Sequence, residues 1–177
     1  VIHIEIDATK VVQVWLKTTK IDGIKSGIIC VLLEYTFDQN KGKRGDILKI
    51  LYTGFKGKNN SSFQLLNKFP VAKVYLTNSF DGLKRDIMGI SEDYDFVVMF
   101  GVDTHLKGLI RIETVAEYTG IKKVSKIDCN RLCEHLKSSG IQSHVSEVPT
   151  KYLCNAAYYH MLNKTAVSYT HLRAHET

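Results

Sequence analysis

Short apolar runs alternate with segments of helical periodicity over most of the chain. Four runs are rich in β-branched and aromatic residues, which is typical of buried strands: "ILKILYTGF", "VAKVYLTN", "YDFVVMFGV" and "IQSHVSEV". Four others carry apolar residues at helical spacing: "SSFQLLNKF", "SFDGLKRDIMGI", "KIDCNRLCEHLKSSG" and "KYLCNAAYYHMLNK". Strands that alternate with helices predict a mostly parallel sheet with both faces covered. The predicted fold class is therefore α/β, a three-layer α-β-α domain over residues 48–165.

Capping residues place the ends of these helices. Ser61 or Ser62 is predicted to cap the first helix, and Ser79 or Asp81 the second. Gly140 follows the third helix at the position that favours a left-handed glycine. "LIRIETVAEY" alternates with period two, which predicts a half-exposed strand that turns into a helix or loop.

The first 47 residues do not follow the alternation. "VIHIEI", "VVQVWL" and "SGIICVLLEYTF" predict three strands with no helix between them. The residues just before Leu48, "KRGDI", can be encoded by codons that contain a ribosome-binding sequence, and Leu48 by TTG, an alternative start codon. Two interpretations stay open: residues 1–47 are an N-terminal segment of the protein, or they are translated upstream DNA and Leu48 is the initiator.

The last residues do not resemble natural protein. "VSYTHLRAHET", Val167–Thr177, is the translation in one frame of a string similar to the adapter of a transposon-based sequencing library. We therefore expect residues 166–177 to be an artefact, and the natural sequence to be interrupted near Thr165. On this interpretation His171 and His175 carry no functional information.

Composition excludes several classes of protein. The chain has 177 residues, 44% hydrophobic and 24% charged, as ordinary globular domains do. No apolar run reaches the roughly 18 residues of a membrane span, and there is no secretory signal, so we expect a cytoplasmic protein without membrane contact. The net charge of +6 is spread over scattered lysines and arginines, which argues against a nucleic-acid partner. The cysteine spacing fits neither disulfides nor a metal site.

Cys154 is the cysteine with two competing interpretations. Cys129 and Cys133 lie four apart on one predicted helix, as small core residues do. Pro149 and Thr150 favour a helix that begins just before Cys154, and a helix N-terminus lowers the pKa of a thiol. The local sequence alone leaves both a buried hydrophobe and a nucleophile open.

Three ordered motifs resemble the pyroglutamyl-peptidase I family of cysteine peptidases. "HVSEVPTKYLCNAAYY" is similar to the family's active-site cysteine motif, with matches at Ser146, Tyr152, Leu153, Cys154, Asn155 and Tyr158. "ILYTGFKGKNNSS" resembles the family's opening strand and loop, and includes Phe55, Asn60 and Ser62. "FGVDTHLKGLIRIETVAEY" resembles the family's glutamate segment and puts Glu113 at the position of the catalytic glutamate.

The resemblance implies an exopeptidase that removes pyroglutamate from peptide N-termini. Cys154 would be the nucleophile of a Glu–Cys–His triad, and Glu113, otherwise an exposed strand carboxylate, would orient and stabilise the site. Phe55 and Asn60 would bind the substrate. The resemblance implies no cofactor and no metal, peptides with N-terminal pyroglutamate as partners, and homo-oligomers.

The chain departs from the family at several positions. A second aromatic is missing after Phe55, and Pro149 and Thr150 replace the usual Ala-Gly. The family's histidine lies roughly two dozen residues after the cysteine, at or beyond Thr177, so we expect the C-terminal elements to be missing and this chain to be inactive. We expect the histidines nearer the motifs to be poor substitutes: His105, His135, His144 and His160. The alternative function is a divergent, non-catalytic member that binds peptide or a lactam-like small molecule.

Overall fold

The computed structural model describes residues 2–6, 49–68, 70–91, 94–103, 106 and 109–174, with backbone only for 2–6 and 166–174. The strands are β1 (Ile2–Ile6), β2 (Ile50–Phe55), β3 (Lys73–Leu76), β4 (Phe96–Val102), β5 (Ile110–Glu113), β6 (Val115–Tyr118), β7 (Ile121–Val124) and β8 (Ser143–Ser146). The helices are α1 (Ser61–Leu66), α2 (Phe80–Met88), α3 (Cys129–Ser138) and α4 (Leu153–Ala174).

A six-stranded sheet organises the described residues. Its strand order is β3-β2-β4-β1-β5-β8, and β6 pairs with β7 in a separate antiparallel hairpin. Neighbouring strands of the large sheet are parallel except β1 and β5, which are antiparallel. The predicted α/β class with a mostly parallel sheet is therefore confirmed.

β1 fills the middle of this sheet although it comes from the start of the chain. It pairs with β4 on one side and with β5 on the other. The register aligns one residue from each strand in a single line across the sheet, which we call the central row. The central row consists of Val74, Thr53, Met99, His3, Glu113 and Ser146.

Most of the predicted elements are present. The four predicted strands correspond to β2, β3, β4 and β8, and the four predicted helices to α1, α2, α3 and α4. Ser79 caps α2 through a hydrogen bond from the Gly82 N–H to its hydroxyl. Gly140 has φ +77° just past α3, as the sequence predicted. The predicted strand in "VIHIEI" is β1.

Two local predictions were wrong. "LIRIETVAEY" does not turn into a helix or loop but forms β5 and β6, and the chain continues into β7. The N-cap of α1 is Asn60 rather than Ser61 or Ser62, because its Oδ1 accepts from the backbone N–H groups of the first turn.

Some predictions concern residues outside the described ranges. They include the strands predicted in "VVQVWL" and "SGIICVLLEYTF", together with Cys30, His105 and His175. Within the described ranges, no helix combines the length and the apolar character that crossing a membrane requires.

Two separate clusters of buried apolar side chains hold the described elements together. The first joins β2, β4 and β5 to α1 and α3, and its largest members are Tyr52 and Phe100. The second joins β2, β3 and β4 to α2 and α4, and it includes Phe55, Met99 and Cys154. Cys154 is thus part of the packing between α4 and the sheet.

Asp86 ties α2 to the ends of two strands. Its Oδ2 accepts from the Thr77 N–H at 2.6 Å and lies 3.4 Å from the Lys56 Nζ. Burial alone would raise the pKa of the Asp86 carboxyl, but the hydrogen bonds from Thr77 and the charge of Lys56 outweigh it and lower that pKa.

We expect Asp86→Asn to lower the free energy of unfolding by about 1–3 kcal/mol at pH 7, because a charge-assisted hydrogen bond is lost. A carboxyl with a lowered pKa stabilises the fold above its unfolded pKa, and this contribution disappears as the pH falls through the folded value. The deficit should therefore shrink in acid. Urea unfolding across pH measures it, with the exposed Asp81 changed to Asn as control. A deficit that stays constant down to the acid limit would contradict the prediction.

Candidate active site

Cys154 is the second residue of α4 and is buried, with 5% of its surface exposed. The predicted place of this thiol in the first turn of a helix is confirmed. Backbone N–H groups of the first turn have no partner within the helix, and their partial positive charge favours a nearby thiolate. Phe55 belongs to the same buried cluster, so the structure brings these two predicted site residues together.

Two polar side chains of α4 fix its first turns against the β5–β6 segment. The Asn155 side-chain amide donates to the Glu117 carbonyl at 2.6 Å, and its Oδ1 accepts from the Glu117 N–H at 3.0 Å. One turn later, the buried Tyr158 hydroxyl donates to the Glu113 carbonyl at 3.1 Å. The helix that carries the thiol is therefore bonded to the backbone of the residue that carries the carboxylate.

Glu113 is buried, with only 2% of its surface exposed, and not the exposed carboxylate that the local sequence allowed. The Arg111 Nε donates to its Oε1 at 2.6 Å. Arg111 also pairs with Asp103, whose Oδ2 lies 3.0 Å from its Nη2. One guanidinium thus bridges two buried carboxylates. This bridge holds the Glu113 side chain in a defined position at the end of β5.

Asn60 and Phe55 are linked through Ser62. The Phe55 N–H donates to the Ser62 Oγ at 2.9 Å, and the Ser62 hydroxyl in turn donates to the Asn60 Oδ1. The same Asn60 oxygen accepts from the Ser62 N–H at 2.9 Å. Asn60 therefore shapes the loop after β2 by capping α1, and Phe55 is a buried core residue at the end of β2.

The other described thiols provide an internal comparison for Cys154. Cys129 is the first residue of α3, yet burial raises the pKa of its thiol to about 11. Cys133 lies in the middle of α3, with its sulfur 3.4 Å from the Ser143 hydroxyl oxygen. Cys129 and Cys133 are therefore thiols packed into the buried cluster around α3.

Three of the histidines considered from the sequence lie within the described ranges. Burial, and then the charges of Arg111 and Lys137, lower the pKa of His144. Burial and the charge of Lys84 lower the pKa of His160, whose ring packs 5.0 Å from that of Tyr118. His135 lies on α3, His144 on β8, and His160 on α4 six positions after Cys154.

Sequence reasoning missed Arg111 and Asp103. A usable signal for Arg111 was present, because residues two apart on a strand share a face and "IRIE" places Arg111 next to Glu113 in this way. Asp103 gave no such signal, since it follows β4 and meets Arg111 only through the fold.

Within the described part of the chain, no three side chains of His, Cys, Asp or Glu come together in a way that could hold a metal ion. Comparison with protein-family models, with curated proteins and with solved structures finds no match for this chain.

We expect Asn155→Ala to lower the free energy of unfolding by about 1–3 kcal/mol, because the Glu117 N–H and carbonyl both lose their buried partner. The first turn of α4 should loosen, and the amides of residues 153–156 should exchange faster with solvent. Hydrogen exchange followed by mass spectrometry measures this. Asn163 is exposed on the same helix, so Asn163→Ala is the matched control. Equal exchange rates in the two variants would contradict the prediction.

We expect Arg111→Met to lower the free energy of unfolding by about 3–5 kcal/mol, since it removes the cation between two buried carboxylates. Arg111→Lys should lower the free energy of unfolding less, because it keeps the positive charge. Some loss should remain, since an ammonium cannot bond to both carboxylates with the planar geometry of a guanidinium. Arg85 is exposed on α2, and its change to Met should have a small effect. Urea unfolding at neutral pH ranks the three variants, and a loss below about 1 kcal/mol for Arg111→Met would mean that the bridge is energetically unimportant.

Proposed function

We propose that this protein is a cysteine exopeptidase that hydrolyses N-terminal pyroglutamate from peptides. The observation that carries the proposal is the place of Cys154 in the first turn of a helix whose side chains are bonded to the β5–β6 backbone next to the buried Glu113. The motif resemblance supplies the substrate class. The proposal also places the enzyme in the cytoplasm, where thiols such as Cys129 and Cys133 stay reduced.

The proposed reaction has two steps. The Cys154 sulfur, after losing its proton to a base, bonds to the carbonyl carbon of the pyroglutamyl residue. The bond to the next residue's nitrogen breaks, and a proton goes to the departing amine. Water then attacks the thioester carbon, which releases free pyroglutamate and restores the thiol. The N–H groups at the start of α4 would stabilise the negative charge that develops on the carbonyl oxygen.

Phe55 and Asn60 would act on the substrate from the end of β2 and from the loop that follows it. Phe55 lies in the buried cluster of Cys154 and offers an apolar surface for a pyrrolidone ring. Asn60 holds the loop after β2 through α1, so its contribution to binding would be positional.

The finer architecture that we propose is a three-layer α-β-α domain. The two separate buried clusters support it, because α1 and α3 belong to one of them while α2 and α4 belong to the other. In such a domain the first turn of α4 would be close to the middle of the sheet.

A non-catalytic binding function is the second candidate. The low exposure of Cys154 favours it, because a thiol with 5% of its surface exposed needs the surrounding side chains to open for attack on a peptide carbonyl. A protein of this kind would bind pyroglutamyl peptides without releasing pyroglutamate.

The sequence resemblance places the family's histidine at or beyond Thr177, so the chain is active only if its own fold supplies another base. In that case it should release the fluorescent amine from a pyroglutamyl-amide substrate, and Cys154→Ser should lose at least about a hundredfold of that rate, because the hydroxyl is a much weaker nucleophile. Cys133→Ser is the matched control, since Cys133 is also buried in a helix but lies in the other cluster. Activity that survives Cys154→Ser would refute the proposal. Binding of a pyroglutamyl peptide by calorimetry, without turnover in the native chain, would favour the second candidate.

A further inference from the structure

A buried cysteine nucleophile needs a base, and the described fold narrows the choice of base. Burial raises the pKa of the Cys129 thiol to about 11, although Cys129 is the first residue of its helix. Cys154 is as deeply buried at the start of its own helix. In cysteine hydrolases the proton is taken by a side chain that is itself oriented by a third group. Glu113 is a buried carboxylate suited to the third role.

The sheet register places one histidine next to Glu113. In the central row, His3 of β1 is the partner of Glu113 on β5 and of Met99 on β4. Met99 belongs to the same buried cluster as Cys154. Directly paired residues of neighbouring strands share a face of the sheet. His3 therefore occupies the row position between Glu113 and Met99, the β4 residue that shares the buried cluster of Cys154.

From this juxtaposition we propose that His3, contributed by the N-terminal strand, is the base for Cys154, with Glu113 as its orienting carboxylate. The inference rests on the proposed function. In the first step the thiol S–H bond breaks, its proton passes to a His3 ring nitrogen, and the sulfur keeps the electron pair that attacks the carbonyl carbon. The imidazolium then returns the proton to the departing amine nitrogen, so the histidine is neutral again before water enters.

The described histidines beyond β1 fit this role less well. His144 on β8 is the register partner of Arg111 and lies two residues before Ser146, the β8 member of the central row; the charge of Arg111 disfavours the imidazolium that a base must form. His160 packs against the rings of Tyr118 and Tyr159. It is also six positions after Cys154 on α4, so the two residues lie on different sides of the helix.

Several charged groups accompany the central row and set the electrostatics of this pair. Glu5 of β1 is the register partner of Arg111, and Arg111 in turn pairs with Glu113 and Asp103. A carboxylate next to the base stabilises its protonated form, which raises the share of thiolate in the pair.

The test is the ionisation of Cys154 in the full chain, measured as the thiolate ultraviolet absorbance of the native protein minus that of Cys154→Ser across pH. We expect thiolate to appear well below the ordinary thiol pKa of about 8.5. His3→Gln keeps a polar side chain of similar size but cannot titrate, and it should lower the thiolate ionisation constant at least about tenfold. For His3→Gln, the absorbance that is subtracted is that of the double variant His3→Gln/Cys154→Ser. His160→Gln is the matched control and should leave the curve unchanged.

Each result decides something different. An unchanged curve in His3→Gln, or a native thiol that ionises only above its ordinary pKa, overturns the assignment of His3. A curve that depends on His3 in a protein without turnover of pyroglutamyl amides keeps the assignment and refutes the peptidase. Turnover that survives His3→Gln keeps the peptidase and refutes the assignment. His3→Ala separates loss of the base from loss of the sheet. If circular dichroism shows that this variant is folded, its thiolate ionisation curve should shift as much as that of His3→Gln.

Discussion

The bridge that Arg111 makes between Asp103 and Glu113 is the interaction on which the candidate site depends. Two carboxylates with 5% and 2% of their surfaces exposed would repel each other and lose their hydration without a cation between them. The guanidinium is planar and can bond to both at once, which a lysine cannot do. Because Arg111 and Glu113 are on β5 and Asp103 follows β4, the bridge also spans the position that β1 occupies between those strands.

The hydrogen bonds that attach α4 to β5 and β6 are a second constraint on the same region. Asn155 bonds to the backbone of Glu117 and Tyr158 to that of Glu113, so the helix is attached to consecutive strands through main-chain atoms. Burial raises the pKa of the Tyr158 hydroxyl, which therefore stays a neutral donor throughout the ordinary pH range. One connected set of contacts consequently holds the Cys154 thiol, the Glu113 carboxylate and the Arg111 bridge. A substitution at any of the three should change the positions of the other two.

Local sequence predicted the βα alternation well, because each of its elements carries its own periodicity and capping residues. The hairpin of β6 and β7 escaped prediction since β7 is short, has Lys122 and Lys123 at its centre and leaves Ile121 half exposed. Its apolar positions do not form the stripe of a buried strand. The pairing of Arg111 with Asp103 and the place of β1 depend on contacts between distant parts of the chain, which no local pattern encodes. Cys154 could be placed in a first helical turn, but its depth of burial came only with the packing of α4.

The central place of β1 has a consequence for how the protein is made. β1 precedes both of its partners in the chain, so a ribosome completes it long before β4 and β5 exist. Until they emerge, "IHIEI" is a strand with two open edges, and such edges are where nascent chains pair with the wrong neighbour. Contacts between residues so far apart close slowly, which lengthens this exposed interval. The middle of the sheet is thus completed late although β1 is synthesised before both of its neighbours, and the yield of native protein should depend on how well the nascent strand is sheltered.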